Sequence, residues 1–461
     1  RNPQRYIPPS VRQHEKRHCG MTNKMNEKKK IFGLEKNAFF TGLTSFFTDT
    51  STKMVYSVMP LFLLSIGASK TTISLIEGIA ESTASLLKAI SGYWSDKIGK
   101  NKPFMIIGYG ITAIITPLYA LARIPIQILF FRFFERIGKG LRAAPRDSLI
   151  SGSIKKNEAG KTFGFQKAMD NSGAIVGPLI AFLLLSIFPL NYSYIFLLAT
   201  IPAILGVLTI IIFIKEAKAE KKETTNKISL KLLPKKFYFF LIIIFVFTLG
   251  NSADALLLVK TSETGIDKSY IPFVYMIFNT VSVLLAIPIG KLSDRIGREK
   301  LIILGFIVYA IVYYFFGRFN SINVFIFLFM LYGFYSALTD GSQKAMISDI
   351  VSKDLKGTGF GIYHAVLGIT LLPASLIAGL LYDKVNSNAP FYFGSIMALI
   401  ATILMIIFTV LDKKKEKINV AQHSVINIAG FECKFSSDDN VLTADRESTS
   451  IINNNKLNHC R

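Results

Sequence analysis

The chain has 461 residues, 51% of them hydrophobic and only 18% charged, with a formal net charge of +23. Soluble proteins of this size use roughly 25% charged residues, and the apolar residues here fall in long blocks rather than alternating. A soluble α/β enzyme is excluded, and blocks near 20 apolar residues match the hydrocarbon thickness of a bilayer.

In chain order, residues 1–36 form a polar tail in which His14, His18 and Cys19 are too few to make a metal site. Twelve membrane helices are then predicted near 37–66, 71–94, 103–122, 125–150, 160–187, 193–214, 237–259, 270–290, 300–317, 322–349, 358–381 and 390–411. The expected fold is an all-α integral membrane protein with about 12 transmembrane helices, as a first bundle over 37–214 and a second over 237–411. A charged linker, 215–236, joins them, and 412–461 is a second polar tail; both tails have the composition of disordered chain. Cys19, Cys433 and Cys460 all lie in the tails, so none staples the membrane region.

The positive charge is placed by topology. Lys97, Lys100, Lys102, Lys155, Lys156, Lys161, the 215–236 segment, Arg295, Arg298, Lys300, Lys353 and Lys356 fall on alternate connections. The intervening ones hold only Lys70, Arg123, Lys260 and Lys268 with Glu263 and Asp267, Arg318 and Lys384. An excess of Lys and Arg marks cytoplasmic loops, which puts both termini inside a plasma (inner) membrane. A bilayer therefore accounts for the charge, and no nucleic-acid partner is expected. No Ser/His/Asp set, metal-ligand cluster or Gly-x-x-x-x-Gly-Lys-(Ser/Thr) loop is present, so no enzyme activity, cofactor or direct ATP use is expected.

Ionisable residues inside spans are costly and mark pairs, cavities or both. The first span carries Asp49 and Lys53 at i, i+4, and the second carries Glu77, Glu81 and Lys88 on one face. The fourth holds Arg132, Glu135, Arg136, Lys139, Arg142, Arg146 and Asp147, and the fifth holds Lys167 and Asp170. The second half is poorer, with Asp254, Asp340, Lys344 and His364. Carboxylates of the first, second and fifth spans are expected to neutralise the cations of the fourth. Asp49, Glu81, Glu135 and Asp170 are the candidates for a proton-carrying group, with Arg136 as partner. Tyr56, Phe165, Tyr275, Tyr335 and Tyr363 are aromatic candidates for a pocket lining.

The two halves repeat at an offset of about 197 to 198 residues. Gly92-Tyr-Trp-Ser-Asp96-Lys97-Ile-Gly99-Lys100 recurs as Gly290-Lys-Leu-Ser-Asp294-Arg295-Ile-Gly297-Arg298, and Gly67-Ala-Ser-Lys70 recurs as Gly265-Ile-Asp-Lys268. Gly92 and Gly290 suit close helix approach, and Gly99 and Gly297 suit a positive-φ turn. This duplicated loop, between the second and third spans of each half, resembles the signature loop of the major facilitator superfamily. The resemblance covers roughly 37–411. It implies two pseudo-symmetric six-helix bundles around a central binding site, with the two loops as gates.

Two shorter matches add direction. Arg136-x-x-x-Gly140 resembles a fourth-helix motif near the proton path of proton-coupled members. Gly173-x-x-x-Gly177-Pro178 resembles a fifth-helix motif of exporters that exchange solute for protons, where the glycines allow close packing and Pro178 permits bending. The expected activity is secondary transport of a small-molecule solute by alternating access, coupled to protons, in the export direction and by a monomer. Import of an organic anion, drawn by the cations of the fourth span, is the alternative. A non-transporting membrane sensor is the second.

Overall fold

The computed structural model describes residues 31–98, 100–153, 159–216, 233–251, 253–352 and 355–428. In a bilayer every backbone polar group must find its partner within the chain, and an apolar segment does this locally by forming a helix. The helices are α1 Lys36–Ser65, α2 Lys70–Ile98, α3 Lys102–Leu118, α4 Pro125–Ser153, α5 Ala159–Ile187, α6 Tyr192–Phe213, α7 Lys235–Gly250, α8 Asp254–Ser262, α9 Ile271–Ile296, α10 Arg298–Arg318, α11 Ile322–Ile350, α12 Lys356–Lys384 and α13 Ala389–Ile428. Short 3₁₀ turns at Tyr119–Leu121 and Lys268–Tyr270 complete them. With α7 and α8 counted as one interrupted span, these are the twelve expected spans, and the chain is a multi-pass integral membrane protein.

Nine segments among the described residues are long and apolar enough to cross a membrane. The helices missing from that set are α1, α2 and α4, and they carry most of the ionisable residues that the sequence places inside spans. Apolar surface alone does not hold them in the membrane. α1 packs against α4, α5 and α6 of its own half and touches α8 and α9, so its charges face protein and a cavity rather than lipid.

Two expectations are corrected. The span predicted as unbroken over 237–259 is interrupted between Gly250 and Asp254. The Tyr309 hydroxyl donates to the Gly250 carbonyl at 3.0 Å and to Asn251 Oδ1 at 3.3 Å, taking up groups that a continuous helix would leave to itself. Asp254 then opens α8, where a carboxylate suits the positive end of the helix dipole. The tail expected to lack order from 412 is helical as far as Ile428. Among the described residues, those up to Met405 form one compact unit and those from Ile406 another. The three cysteines and most of the linker lie outside the described residues.

The internal repeat is visible in the backbone. Gly67 and Gly265, at matching positions, have φ of +81° and +82°. The packing pairs repeat as well: α2 and α3 each pack on α4 as α9 and α10 each pack on α11. The halves meet through α2 against α12 and α5 against α9.

The glycines of α5 act as contact points. A Cβ on Gly173 would sit 2.7 Å from the Phe46 carbonyl oxygen and 2.9 Å from Asp49 Cβ. One on Gly177 would sit 2.5 Å from the Thr50 carbonyl oxygen and 3.0 Å from Lys53 Cβ. The pair therefore presses the backbone of α5 onto the turn of α1 that bears Asp49 and Lys53. α5 continues through Pro178 without interruption. Gly177→Val is expected to destabilise the protein by about 1–3 kcal/mol through overpacking, read as a lower melting temperature in detergent. Gly164→Ala, with nothing within 4 Å, should not. Equal melting temperatures for both variants would contradict this account.

Candidate functional site

A cavity of about 670 Å³ lies between the two halves. Let the linker end be the end carrying the 98–102, 153–159, 214–235 and 350–356 connections, and the far end its opposite. Toward the far end the cavity is closed by Lys53 of α1, whose Nζ donates to the Tyr275 hydroxyl of α9 at 2.9 Å. The Lys53 ammonium stands 5.2 Å from the Tyr275 ring centre and 5.5 Å from that of Tyr56. Toward the linker end, Asp147, Lys167, Asp340 and Lys344 line the cavity and are exposed. The cavity is therefore open to that end.

Beside the cavity lies an ion network, sealed at Arg132, Glu77 and Glu135 and partly exposed at Glu81. Arg132 is 1% exposed. Its Nε donates to Glu77 Oε1 at 3.0 Å, Nη2 donates to Glu77 Oε2, and Nη1 donates to Glu135 Oε2 at 2.9 Å. The Tyr119 hydroxyl donates to the same Glu135 oxygen at 2.6 Å. Arg136 Nη2 pairs with Glu81 Oε1 at 2.9 Å, and its Nε has no partner among the described residues. The expected neutralisation by α2 is thus present, and Glu135 is held by its own helix. Glu135 does not line the cavity.

Closer to the mouth, Arg146 donates to Asp170 at 3.3 Å, to Asp147 at 3.0 Å and to Ser45 at 3.2 Å. Gln166 Nε2 ties Asp170 Oδ1 (2.9 Å) to Ser45 Oγ (2.6 Å). These contacts bring α1, α4 and α5 together.

A different set faces the cavity without ionic partners. Asp49, Lys88, Lys139, Arg142 and His364 all line it, and among the described residues none of them makes an ion pair. Arg142 Nη1 donates to Thr112 Oγ1 at 2.7 Å, and its guanidinium stands 4.2 Å from the Tyr109 ring centre. The Asp49 carboxylate has no hydrogen-bond partner among the described residues. It stands one turn from Lys53, beside Gly173. Asp254, on the other half, accepts from the Tyr332 hydroxyl at 2.8 Å, and Asp340 accepts from Ser336 at 3.1 Å.

Of the aromatic candidates, Tyr275 lines the cavity. Phe165 packs against Phe39 and Gly42, Tyr335 joins a cluster with Tyr309 and Tyr332, and Tyr363 donates to Gln343 Oε1 at 2.8 Å. Ser45, Tyr109 and Tyr119 carry the networks yet have no sequence signal beyond being polar in apolar segments, whereas Gln166 shares a helix face with Asp170 by its i, i+4 spacing.

In the second signature loop, Arg298 donates to Asp294 and, at 3.3 Å, to Asp349 at the end of α11. Gly297 has φ +97°, the turn conformation expected of it. Gly290 is a correction: it is exposed, nothing lies within 4 Å of where its Cβ would be, and no close helix approach is made there. Arg295 is exposed, as is Lys100 of the first loop. Gly99, the surroundings of Gly92 and the side chains of Asp96 and Lys97 lie outside the described set.

The far end is tied across the halves. Asp383 at the end of α12 accepts from the Thr71 backbone N–H at 2.8 Å, capping the start of α2. Glu263 accepts from the Tyr382 hydroxyl at 2.8 Å and stands 3.8 Å from Lys70. The double substitution Asp383→Asn with Glu263→Gln is expected to loosen this closure. Spin-label distances between far-end positions of α2 and α12 should then gain a longer population. An unchanged distribution would show that these contacts do not hold the end shut.

The family model described as Major Facilitator Superfamily matches residues 41–259 and 239–446. An uncharacterized MFS-type transporter of Methanocaldococcus jannaschii is 37% identical over 382 residues, covering 81% of this chain and 95% of the relative. A multi-drug resistance efflux pump of Streptococcus pneumoniae, PmrA, is 25% identical over 58% of this chain and 70% of its own. Among solved structures, a bacterial homologue of the lysosomal transporter Spinster, inward-facing and occupied, aligns with TM-score 0.66 at 13% identity, over 81% of this chain and 96% of that one. A D-xylose–proton symporter aligns with TM-score 0.64 at 15% identity, over 80% and 96%.

Proposed function

This chain belongs to the major facilitator superfamily, and on that premise we propose that it is a proton-coupled secondary transporter of a small solute, working by alternating access. The first bundle, 37–214, and the second, 237–411, are the two moving bodies. The conformation described, closed at Lys53–Tyr275 and open at the linker end, is the inward-facing one when the linker end is cytoplasmic, as the Lys and Arg excess there favours. The membrane is the plasma (inner) membrane, and one copy of the chain suffices, since the cavity is built within a single chain.

The observation that carries this reading is the Asp49 carboxylate. It faces the cavity with no ion-pair partner among the described residues, one helical turn from the Lys53 that closes the far end. A carboxylate so placed has a protonation state that can respond to the cavity's contents and to which side is open. Protonated, Asp49 leaves Lys53 to its hydroxyl partner; ionised, it competes for Lys53 and weakens the closure.

Export is the direction favoured, through the Gly173-x-x-x-Gly177-Pro178 run and the similarity to an efflux pump. The test is to reconstitute the purified chain in liposomes with an imposed pH gradient and screen a solute panel for solute-dependent dissipation of that gradient. The proposal expects at least one solute to discharge the gradient in a protein-dependent way. Solute flux that leaves the gradient untouched, and is untouched by it, would remove proton coupling from the account.

A further inference from the structure

Three cations of the first half line one wall of the cavity and make no ion pair among the described residues: Lys88 of α2, and Lys139 and Arg142 of α4. The nearby acids are committed elsewhere, Glu81 to Arg136 and both Asp147 and Asp170 to Arg146. Lys139 lies within electrostatic range of Arg136, Lys88 and Lys53 and of one acid, Glu81, so cations outnumber carboxylates around it. Of the cavity acids that make no ion pair among the described residues, Asp49 lies on the same half as this group, and Asp254 and Asp340 lie on the other. An uncompensated cation in a low-dielectric cavity is costly, and a cluster of them more so.

The cluster is also organised. Arg142 is only 6% exposed and is fixed by the Thr112 hydroxyl, by the Gly108 carbonyl at 3.5 Å and by the Tyr109 ring. Both of these hydrogen bonds use Nη1, so the rest of the guanidinium fork has no acceptor among the described residues. A planar fork with open donors matches the two oxygens of a carboxylate or phosphate. Lys139 lies on the same side of α4, three residues away, and can supply a second contact.

We infer that this wall is an anion-binding subsite, and that the transported solute carries a compact oxyanion, a carboxylate or a phosphate, seated between Arg142 and Lys139 with Lys88 beside them. The facing wall, with Asn279, Ser282 and Ser336 of the second half alongside the carboxylates of Asp254 and Asp340, offers neutral donors and acceptors as well as two acids to the remainder of the solute. A volume of about 670 Å³ suits a metabolite-sized molecule. The substrate class assigned here rests on the transport reading above, whereas binding at the subsite does not.

The test is thermal stability of the full chain in detergent, titrated with citrate and, separately, with inorganic phosphate, each against chloride at matched ionic strength. Tetraphenylphosphonium serves as a cationic comparator. Saturable stabilisation by citrate or phosphate beyond chloride is expected, and which one acts distinguishes the two oxyanions. Lys139→Gln and Arg142→Lys should each raise the half-saturating concentration by about tenfold, the ratio produced by losing one charge-assisted hydrogen bond. Exposed Lys384→Gln should leave it unchanged. Arg142→Lys keeps the charge and guards against a variant that merely fails to fold. Stabilisation no greater than chloride gives, equal affinity in Lys139→Gln, or stabilisation by tetraphenylphosphonium instead would overturn the subsite. Anion binding without proton-linked flux would sink the coupling reading and leave the subsite standing; proton-linked flux of a neutral solute without anion binding would do the reverse.

Discussion

Asp49→Asn is expected to cut solute movement driven by a pH gradient while leaving solute exchange across the membrane at equal pH intact. The loss should fall in the range of about 5- to 150-fold that a coupling energy between two sites typically produces. The substituted amide keeps the size of the carboxylate and resembles its protonated form but cannot ionise, so it can neither carry a proton nor offer Lys53 a negative charge. The four carboxylates named as candidates from the sequence are no longer equivalent once packed. Glu135 is sealed by Arg132 and Tyr119. Glu81 is paired with Arg136, and Asp170 is shared with Arg146 and Gln166. Glu135→Gln should therefore lower stability without altering the ratio of driven to exchange flux. Were Asp49→Asn to keep its pH-driven flux, the proton-carrying role would pass to another group and the assignment would fail.

Arg132→Met should be the most destabilising single change in the first half, by about 3–5 kcal/mol, because it strands two buried carboxylates, Glu77 and Glu135, with no cation between them. The volume is nearly conserved, so cavity formation contributes little and the cost is electrostatic. Thermal unfolding in detergent would measure it. Adding Glu77→Gln to Arg132→Met removes one of the stranded charges and should recover part of the loss, a coupling that a double-mutant cycle reads directly. If Arg132→Met proved as stable as the unaltered chain, the network would have no structural role, and its charges would need a functional reason instead.

These two expectations separate the ionisable residues into a group that holds α2 and α4 together and a group that faces the cavity. That division could not be read from spacing. Arg132, Arg136 and Lys139 share one face of α4 by periodicity, and a helical wheel treats them alike. In the structure Arg132 and Arg136 meet Glu77 and Glu81 of α2, whereas Lys139 makes no ion pair among the described residues. The difference lies in the neighbouring helix, not in α4. The Lys53–Tyr275 closure is a still clearer case, because its partners are 222 residues apart and lie in different halves.

The sequence by itself determined the membrane class, the number and order of the spans, the linker-end charge bias and the internal repeat. It could do so because these follow from local chemistry: apolar length sets a span, and glycine at a fixed offset sets a turn, as the closely matched φ values of Gly67 and Gly265 attest. Tertiary structure alone decided the interruption at Asn251, the empty space at Gly290 and which carboxylate each arginine meets. Those outcomes depend on how closely two helices approach and what fills the gap, and a buried charge keeps or loses its partner over a few ångströms that no single segment encodes.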